Sequence, residues 1–422
     1  MKSIKIRLEL NNTQVTLARK HSGVARHAYN WGVAICQQAY ESKEKIPSAI
    51  DLHKRLVAEV KSEHAWYYEV SKCAPQQALR NLQTAYTNFY RIQKESGYKK
   101  IKQVRRGGRM LAVLEGLPQF KKKGRRDSFY LDGSIRVSPC GKKLKLPHLS
   151  WVRLSESVDP ATVITSVSIS RIADHWFVSG TPDRFKVPFE PVVTTKPYGA
   201  VGVDLGIRTL ATLSDGTVFE AVKPYKRYKR KLKLAQRKAS KKHIKGQKQQ
   251  SANYKKATRK VARIHARIAN IRADALHKLT THLAKNHRQV VIEDLNVSGM
   301  TKNHKLASAI LDGGFSEFRR QLTYKADWYG SEVVVADRWF ASSKTCSGCG
   351  VKKKTLTLSQ RSYNCESCGL SLDRDLNAAI NLTQYPTASY AGVACGAANN
   401  PSDLSDGVAT KQEANSSLHH QV

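Results

Sequence analysis

Val201-Gly202-Val203-Asp204-Leu205-Gly206 is a short apolar run that ends on an acid and a glycine, inside the segment whose reading decides the fold. From Tyr198 the pattern is one strand over Ala200 to Leu205, a second over Thr209 to Leu213, an Asp215-Gly216 turn, and a third around Val218. Short apolar runs separated by a turn dipeptide predict a hairpin meander. Two later runs, Val290 to Ile292 and Val333 to Val335, bracket a helical pattern carrying Phe315, Phe318, Leu322 and Trp328. This alternation of strand and helix predicts an α/β domain over 198–339.

Three acids stand at the edges of these elements. Asp204 ends the first strand, Glu293 ends Val290-Val291-Ile292-Glu293, and Asp375 lies in Asp373-Arg374-Asp375-Leu376-Asn377-Ala378-Ala379. Each alone reads equally well as a turn or helix-cap residue, Asp373 most of all. Taken in order, with acids on the first strand, the fourth strand and the last helix, they resemble an RNase H-like fold, in which such carboxylates converge. Carboxylates suit Mg²⁺ or Mn²⁺, and two such ions about 4 Å apart can activate a water and stabilise a leaving 3′ oxygen.

Of eight cysteines, four form two tight pairs, Cys346-x-x-Cys349 and Cys365-x-x-Cys368, with Gly350 and Gly369 directly after each. Each pair offers two thiolates on one knuckle, and four thiolates complete a closed tetrahedron that predicts one structural Zn²⁺. Cys36, Cys73, Cys140 and Cys395 are scattered, so a reducing compartment is expected.

The chain has 422 residues, enough for several units, and a formal charge of +39 from 72 Lys and Arg against 33 Asp and Glu. So large a positive excess opposes a compact state unless a polyanion neutralises it, which points to nucleic acid. Residues 221–273 hold twenty Lys or Arg and no acid, with Tyr225, Tyr228, Leu232, Leu234, Val261, Ile264, Ile268 and Ile271 among them. These read as long basic helices with one apolar edge, where core packing competes with base stacking for the tyrosines. No apolar run approaches the roughly 20 residues of a spanning helix, and no charged-then-apolar leader opens the chain. A cytoplasmic, nucleoid-associated protein without a membrane role is the expectation.

Toward the N-terminus, Ile4, Ile6, Leu8 and Leu10 alternate as in a strand, and Leu79, Leu82, Tyr86, Phe89 and Tyr90 recur at helical steps after Pro75. Ser96 to Arg126 is Gly-rich and basic and reads as a flexible connection facing phosphates. Phe129 to Thr181 has the punctuation of short antiparallel strands, predicting a small barrel that takes in the first strand. From Thr383 onward Ser, Ala, Asn and Gly dominate, which predicts a disordered tail.

The whole resembles the TnpB (OrfB) proteins of bacterial insertion sequences, RuvC-containing relatives of type V CRISPR effectors. The resemblance covers about residues 1 to 382. It is carried by Gly202-Val203-Asp204-Leu205-Gly206, Ile292-Glu293-Asp294-Leu295-Asn296-Val297 with Gly299-Met300, Ser342-Ser343-Lys344-Thr345-Cys346, and Asp373 to Ala379. Ala28-Tyr29-Asn30-Trp31, Pro75-Gln76-Gln77-Ala78-Leu79, Phe120 to Lys123 and Asp127-Ser128-Phe129 add to it in the N-terminal half.

The resemblance implies a multidomain α/β protein: an RNase H-like (RuvC) domain with an inserted zinc ribbon, an N-terminal β-barrel (wedge) and a helical recognition domain. The boundaries expected are 1–12 for the first wedge strand, 13–98 for the recognition helices and 99–190 for the rest of the wedge. A linker follows at 191–197, then the nuclease domain over 198–339 with long basic helices at 223–285. The zinc ribbon takes 340–371, the last RuvC helix 372–384 and the tail 385–422. The implied activity is RNA-guided, metal-dependent cleavage of double-stranded DNA beside a short adjacent motif, with Asp204, Glu293 and Asp375 catalytic and two Mg²⁺ ions held by them. The implied partners are a transposon-derived guide RNA and target DNA, with a monomer favoured. Gln76, Gln77 and Arg80 become candidates for reading the adjacent motif, by resemblance alone. Lys121, Lys122, Lys123, Arg125, Arg126, Lys226, Arg227, Lys229 and Arg230 are candidates for backbone contacts, which a protein that leaves sequence reading to base pairing needs in number. Alternatives are a miniature type V CRISPR effector, a nuclease-inactive RNA-guided repressor, and a DNA transposase, for which no tyrosine or serine nucleophile motif stands out.

Overall fold

The structure, a computed structural model, describes residues 4–95, 101–106, 109–114, 116–124, 126–180, 185–186, 197–247, 249–357 and 359–395; of 101–113, 185–186 and 386–395 it describes the backbone only. It divides into two compact units, one of Met1–Thr194, Val222–Thr281 and Asn303–Gly330, the other of Thr195–Ala221, His282–Lys302 and Ser331–Val422.

In the first unit, strand β1 (Ile4–Glu9) leads into helix α1 (Asn12–Glu41). The helix starts where it does because Asn11 and Gln14 form a reciprocal capping box, which satisfies orphan N–H groups at the helix start. The Gln14 amide also donates to the carbonyls of Leu149 and Trp151, both at 3.0 Å. After the short helix α2 (Ala49–Arg55), α3 (Cys73–Glu95) lays its stripe of Leu79, Leu82, Tyr86 and Phe89 in the core. Tyr90, expected in that stripe and one turn past Tyr86 on the same face, is nevertheless exposed. Gly32 of α1 lets Leu79 and Leu82 come close, as a Cβ there would lie 2.8 Å from Leu82 Cδ2.

The basic connection is not a featureless link: β2 (Ile101–Arg106) and β3 (Arg109–Leu114) pair as an antiparallel hairpin. Then come β4 (Ser128–Asp132), β5 (Arg136–Val137), β6 (Lys143–Leu146), β7 (Ser150–Leu154), β8 (Val163–Ile164), β9 (Ser166–Ile172), β10 (His175–Gly180) and β11 (Phe185–Lys186). Six of them and β1 form one sheet in the order β4-β9-β10-β1-β7-β6-β5, so β1 does join the later strands. Among the described residues no ladder links β4 to β5, and the expected barrel stands as an open-ended antiparallel sheet. The 191–196 part of the expected linker lies outside the described residues.

The second unit begins with β12 (Tyr198–Leu205), β13 (Thr209–Leu213) and β14 (Val218–Glu220), the expected meander. The chain then returns to the first unit for α4 (Pro224–Ser240) and most of α5 (Ala252–Asn286), whose buried Leu232, Ala235, Ile264 and Ile268 form an apolar edge; Leu234, counted into that edge from the sequence, is exposed. Tyr225 and Tyr228 pack against that cluster, which favours core packing for both. β15 (His287–Glu293) and the short α6 (Val297–Met300) belong to the second unit, α7 (Ala307–Gly313) and α8 (Phe315–Tyr329) to the first. Buried Asp312 of α7 caps α4 from outside, accepting from the N–H of Tyr225 at 3.0 and 2.9 Å and from Arg272 at 3.1 Å.

β16 (Glu332–Ala336) completes a five-stranded sheet, β14-β13-β12-β15-β16, antiparallel across the meander and parallel from β12 to β16. A small ribbon of β17 (Ser362–Asn364) and β18 (Ser371–Asp373) precedes α9 (Arg374–Cys395), which packs on β12, β13, β15 and β16. The helix runs past the expected end at 384, so 385–395 are helical backbone and not tail; 396–422 lie outside the described residues. Among the described residues no helix is long and apolar enough to cross a membrane.

Gly202 is the tightest point of this unit. Its N–H donates to Thr383 Oγ1 at 2.7 Å, and a Cβ on it would fall 1.9 Å from the Ala379 carbonyl oxygen and 2.7 Å from the Thr383 nitrogen. Both obstacles are backbone, so no rotamer change relieves them. Gly202→Ala is therefore expected to destabilise the protein by about 3 kcal/mol or more through overpacking. Urea unfolding measures it, and a variant as stable as the parent would contradict this packing.

Candidate active site and metal centre

Asp204 and Glu293 come together through strand register. Val203 of β12 pairs with Ile292 of β15 in a parallel ladder, so the next residue on each strand is an acid at the same sheet edge. Asp375 is the second residue of α9. The turn before it is fixed by Asp373, whose Oδ1 accepts the N–H groups of Asp375 at 2.9 Å and Leu376 at 3.2 Å. Asp373 is thus the helix-capping acid, and the charge of the half-buried Asp375 acts on Asp204.

Electrostatics shows the three acids sharing one site. Burial pushes the half-buried Asp204 carboxyl up to about 8, and the charges of Glu293, Asp375 and Asp373 push the same way, opposed by Arg374. Like charges in a partly desolvated place disfavour ionisation, and a bound cation is one way to relieve them. The Arg374 guanidinium is held aside, its Nη1 donating to the carbonyls of Thr357 at 3.3 Å and Gln360 at 3.4 Å.

A set of polar residues that the sequence reading quoted only as motif letters fastens this edge. The buried Ser342 hydroxyl donates to Glu293 Oε1 at 2.5 Å. Asn381 of α9, also buried, donates to the carbonyls of Ser342 and Thr345 at 2.7 Å each. One turn earlier Asn377 donates to the Thr345 carbonyl at 2.7 Å and accepts from the Ser347 N–H at 3.0 Å. Two asparagines four residues apart share one helix face, and that spacing was the available signal. Beside Glu293, Asp294 pairs with Arg338.

The four predicted cysteines gather at the ribbon. Cys346 and Cys368 sulfurs lie 3.6 Å apart, as do those of Cys349 and Cys365, and all four sit within 4.8 Å of one another. A tetrahedron of Zn–S bonds near 2.3 Å has edges of about 3.8 Å, so the four thiols fit one zinc. Each knuckle closes on a glycine with positive φ, Gly350 at 75° and Gly369 at 73°, whose N–H bonds back to the Cys346 and Cys365 carbonyls. Tyr363, fully buried, backs the site. N–H groups at Cys368 and Ser367 lower the Cys365 thiol, while the neighbouring sulfurs push the Cys349 and Cys368 thiols up. Among the described residues this is the one group of three or more potential ligand atoms packed that closely. Asp204, Glu293 and Asp375 are not grouped that tightly.

The nucleic-acid candidates lie in the first unit. On α3, Gln76 and Gln77 are half-buried and Arg80 is exposed. Lys121, Lys122, Lys123, Arg126, Lys226, Arg227, Lys229 and Arg230 are all exposed, with Lys121 Nζ 3.7 Å from the Tyr29 ring centroid. Arg125 lies outside the described residues.

Three family models match. One described as "Probable transposase" (OrfB of IS605) covers residues 184–304, one described as "Cas12f1-like, TNB domain" covers 315–382, and a helix-turn-helix domain covers 1–45. Those first residues form β1 and one unbroken helix here. A Streptomyces pristinaespiralis protein named "Putative RNA-guided DNA endonuclease" is 38% identical over 400 residues, 94% of this chain and 91% of its own. InsQ of Escherichia coli K12, of the same designation, is 32% identical over 94% of each chain. The solved Cas12f1–sgRNA–target DNA complex aligns with a TM-score of 0.46 at 14% identity, covering 88% of this chain and 82% of that one. With identity at that level over nearly the whole length of the chain, it belongs to the TnpB (OrfB) family of insertion-sequence proteins.

Proposed function

We propose that this protein is an RNA-guided DNA endonuclease whose RNase H-like (RuvC) centre, with Asp204, Glu293 and Asp375 as its catalytic acids, hydrolyses phosphodiester bonds. The observation that carries the reading is the strand register that sets Asp204 beside Glu293 at one sheet edge, where burial first, and then the charges of Glu293 and of Asp375 from α9, raise the Asp204 carboxyl. Near-complete alignment to relatives named RNA-guided DNA endonucleases supports it, as does a charge of +39 suited to holding an RNA and a heteroduplex by their phosphates.

The donor set, all carboxylate oxygen, fits two divalent ions such as Mg²⁺ or Mn²⁺, which Asp204, Glu293 and Asp375 would hold between them. Bound there, such ions would supply an activated water and charge stabilisation for the departing 3′ oxygen. The chain's own residues fix the rest. Ser342 holds the Glu293 carboxylate in one orientation, Asp373 sets the start of α9 and so places Asp375, and the Gly202 contact keeps β12 against that helix. The zinc ribbon of Cys346, Cys349, Cys365 and Cys368 is structural. Gln76, Gln77 and Arg80 read the adjacent motif, and the exposed Lys and Arg of 121–126 and 226–230 hold nucleic-acid backbone. The guide is an RNA from the transposon end.

The test is to sequence RNA that co-purifies with the protein and then to replace its guide portion. Cleavage in Mg²⁺ is expected to move to the new matching DNA. Cutting that ignores the guide, or no cutting at any matched site, defeats the proposal.

A further inference from the structure

β16 runs in register with β15, and its last pair sets Ala336 against Glu293. Three residues on, Trp339 is 86% exposed, the most of any large hydrophobic side chain among the described residues. Three residues span at most about 11 Å, so the indole stands within a few nucleotides' reach of the carboxylates.

The loop presents this ring firmly. Asp337 accepts the Trp339 N–H on its side chain at 2.8 Å and the Phe340 N–H on its carbonyl at 3.0 Å, while Arg338 pairs with Asp294. The next residue, Phe340, serves the core instead, packing by Val291, Ala336 and Leu382 with its ring 4.9 Å from that of Tyr385. The loop thus fixes the backbone of Trp339 while its ring stands in water, outside the core. A bare indole finds its best partner in a flat, polar-edged ring.

We propose that Trp339 is a stacking platform for an unpaired nucleobase of the DNA strand presented to Asp204, Glu293 and Asp375. A nucleobase suits the position better than a protein partner. The surroundings are basic, with Arg338, Lys344 and the exposed Lys352 and Lys354 on the adjoining ribbon, and the neighbouring acids work on phosphodiesters. Bases within a duplex are already stacked on each other, so the platform selects single-stranded DNA, whatever its sequence. The identity of the strand, though not the stacking, rests on the nuclease reading.

The experiment uses full-length protein with its bound RNA, in an Asp204→Ala background that spares the probe. The probe is a short single-stranded DNA with 2-aminopurine at successive positions. Quenching is expected at one or two adjacent positions. Trp339→Ala is expected to abolish it and weaken single-strand binding by about tenfold, Trp339→Phe to keep most of both, and the unfolding temperature to stay unchanged in each. Equal quenching and affinity in Trp339→Ala overturns the proposal. So does an effect confined to sedimentation, which would make the ring a contact between copies. If Trp339→Ala loses quenching while the protein with Asp204 intact cuts no DNA, stacking stands and the nuclease reading falls. If that protein cuts and quenching persists, the reverse holds.

Discussion

Asp204→Asn is expected to reduce DNA cleavage by at least about a thousandfold, the scale of losing a carboxylate that holds the ions, and yet to make the metal-free protein more stable. The second effect follows from the sign of the pKa shift. An unfolded Asp titrates near 3.9, whereas burial and then the charges of Glu293 and Asp375 lift it to about 8 in the fold. The folded state therefore binds more protons between those values, so wild-type stability falls as pH rises from about 4 through about 8. Asparagine carries no such penalty. The melting-temperature advantage of Asp204→Asn should be absent near pH 4 and full above pH 8, worth about 3 kcal/mol after allowing for partial solvent screening. Mg²⁺ should raise the wild-type melting temperature and leave the variant nearly unmoved. Two proteins that melt alike at every pH would mean the acids do not crowd one another.

Removing zinc, by a chelator or by Cys365→Ser, is expected to have the larger structural effect. Closed thiolate sites contribute about 10 kcal/mol or more of apparent binding free energy in small zinc domains, and a ribbon of two three-residue strands has little else to hold it. The damage should not stop there. Once Thr345 and Ser347 move, Asn377 and Asn381 lose their partners inside the unit, and Ser342 loses its hold on Glu293. Unpaired buried amides cost about 1–3 kcal/mol each. Hydrogen exchange should therefore quicken across 342–371 and the start of α9 together, and cleavage should fall to background. A chelated protein that keeps both its protection and its activity would separate the ribbon from the acids.

The strands at 198–220, the acids at strand ends and the cysteine knuckles were legible because each is written locally, in runs of apolar residues, turn dipeptides and fixed spacings. What escaped is non-local or compositionally quiet. Ser342, Asn377 and Asn381 matter through partners tens of residues away or on another element, which no periodicity encodes. Residues 385–395 are small and polar enough to resemble a tail, yet they continue a helix already anchored on four strands. The hairpin at 101–114 was hidden by its Gly and basic residues. Tyr90 shows the opposite error, a residue in phase with the stripe that the packing around the helix does not cover.

The seat of α9 against Gly202 has a consequence for biosynthesis. β12 is among the first pieces of its unit to leave the ribosome, and the helix that covers it is among the last. A nascent chain therefore contains Asp204 long before α9 and its Asp375 are made, so the proposed site can be assembled only once that helix has been synthesised.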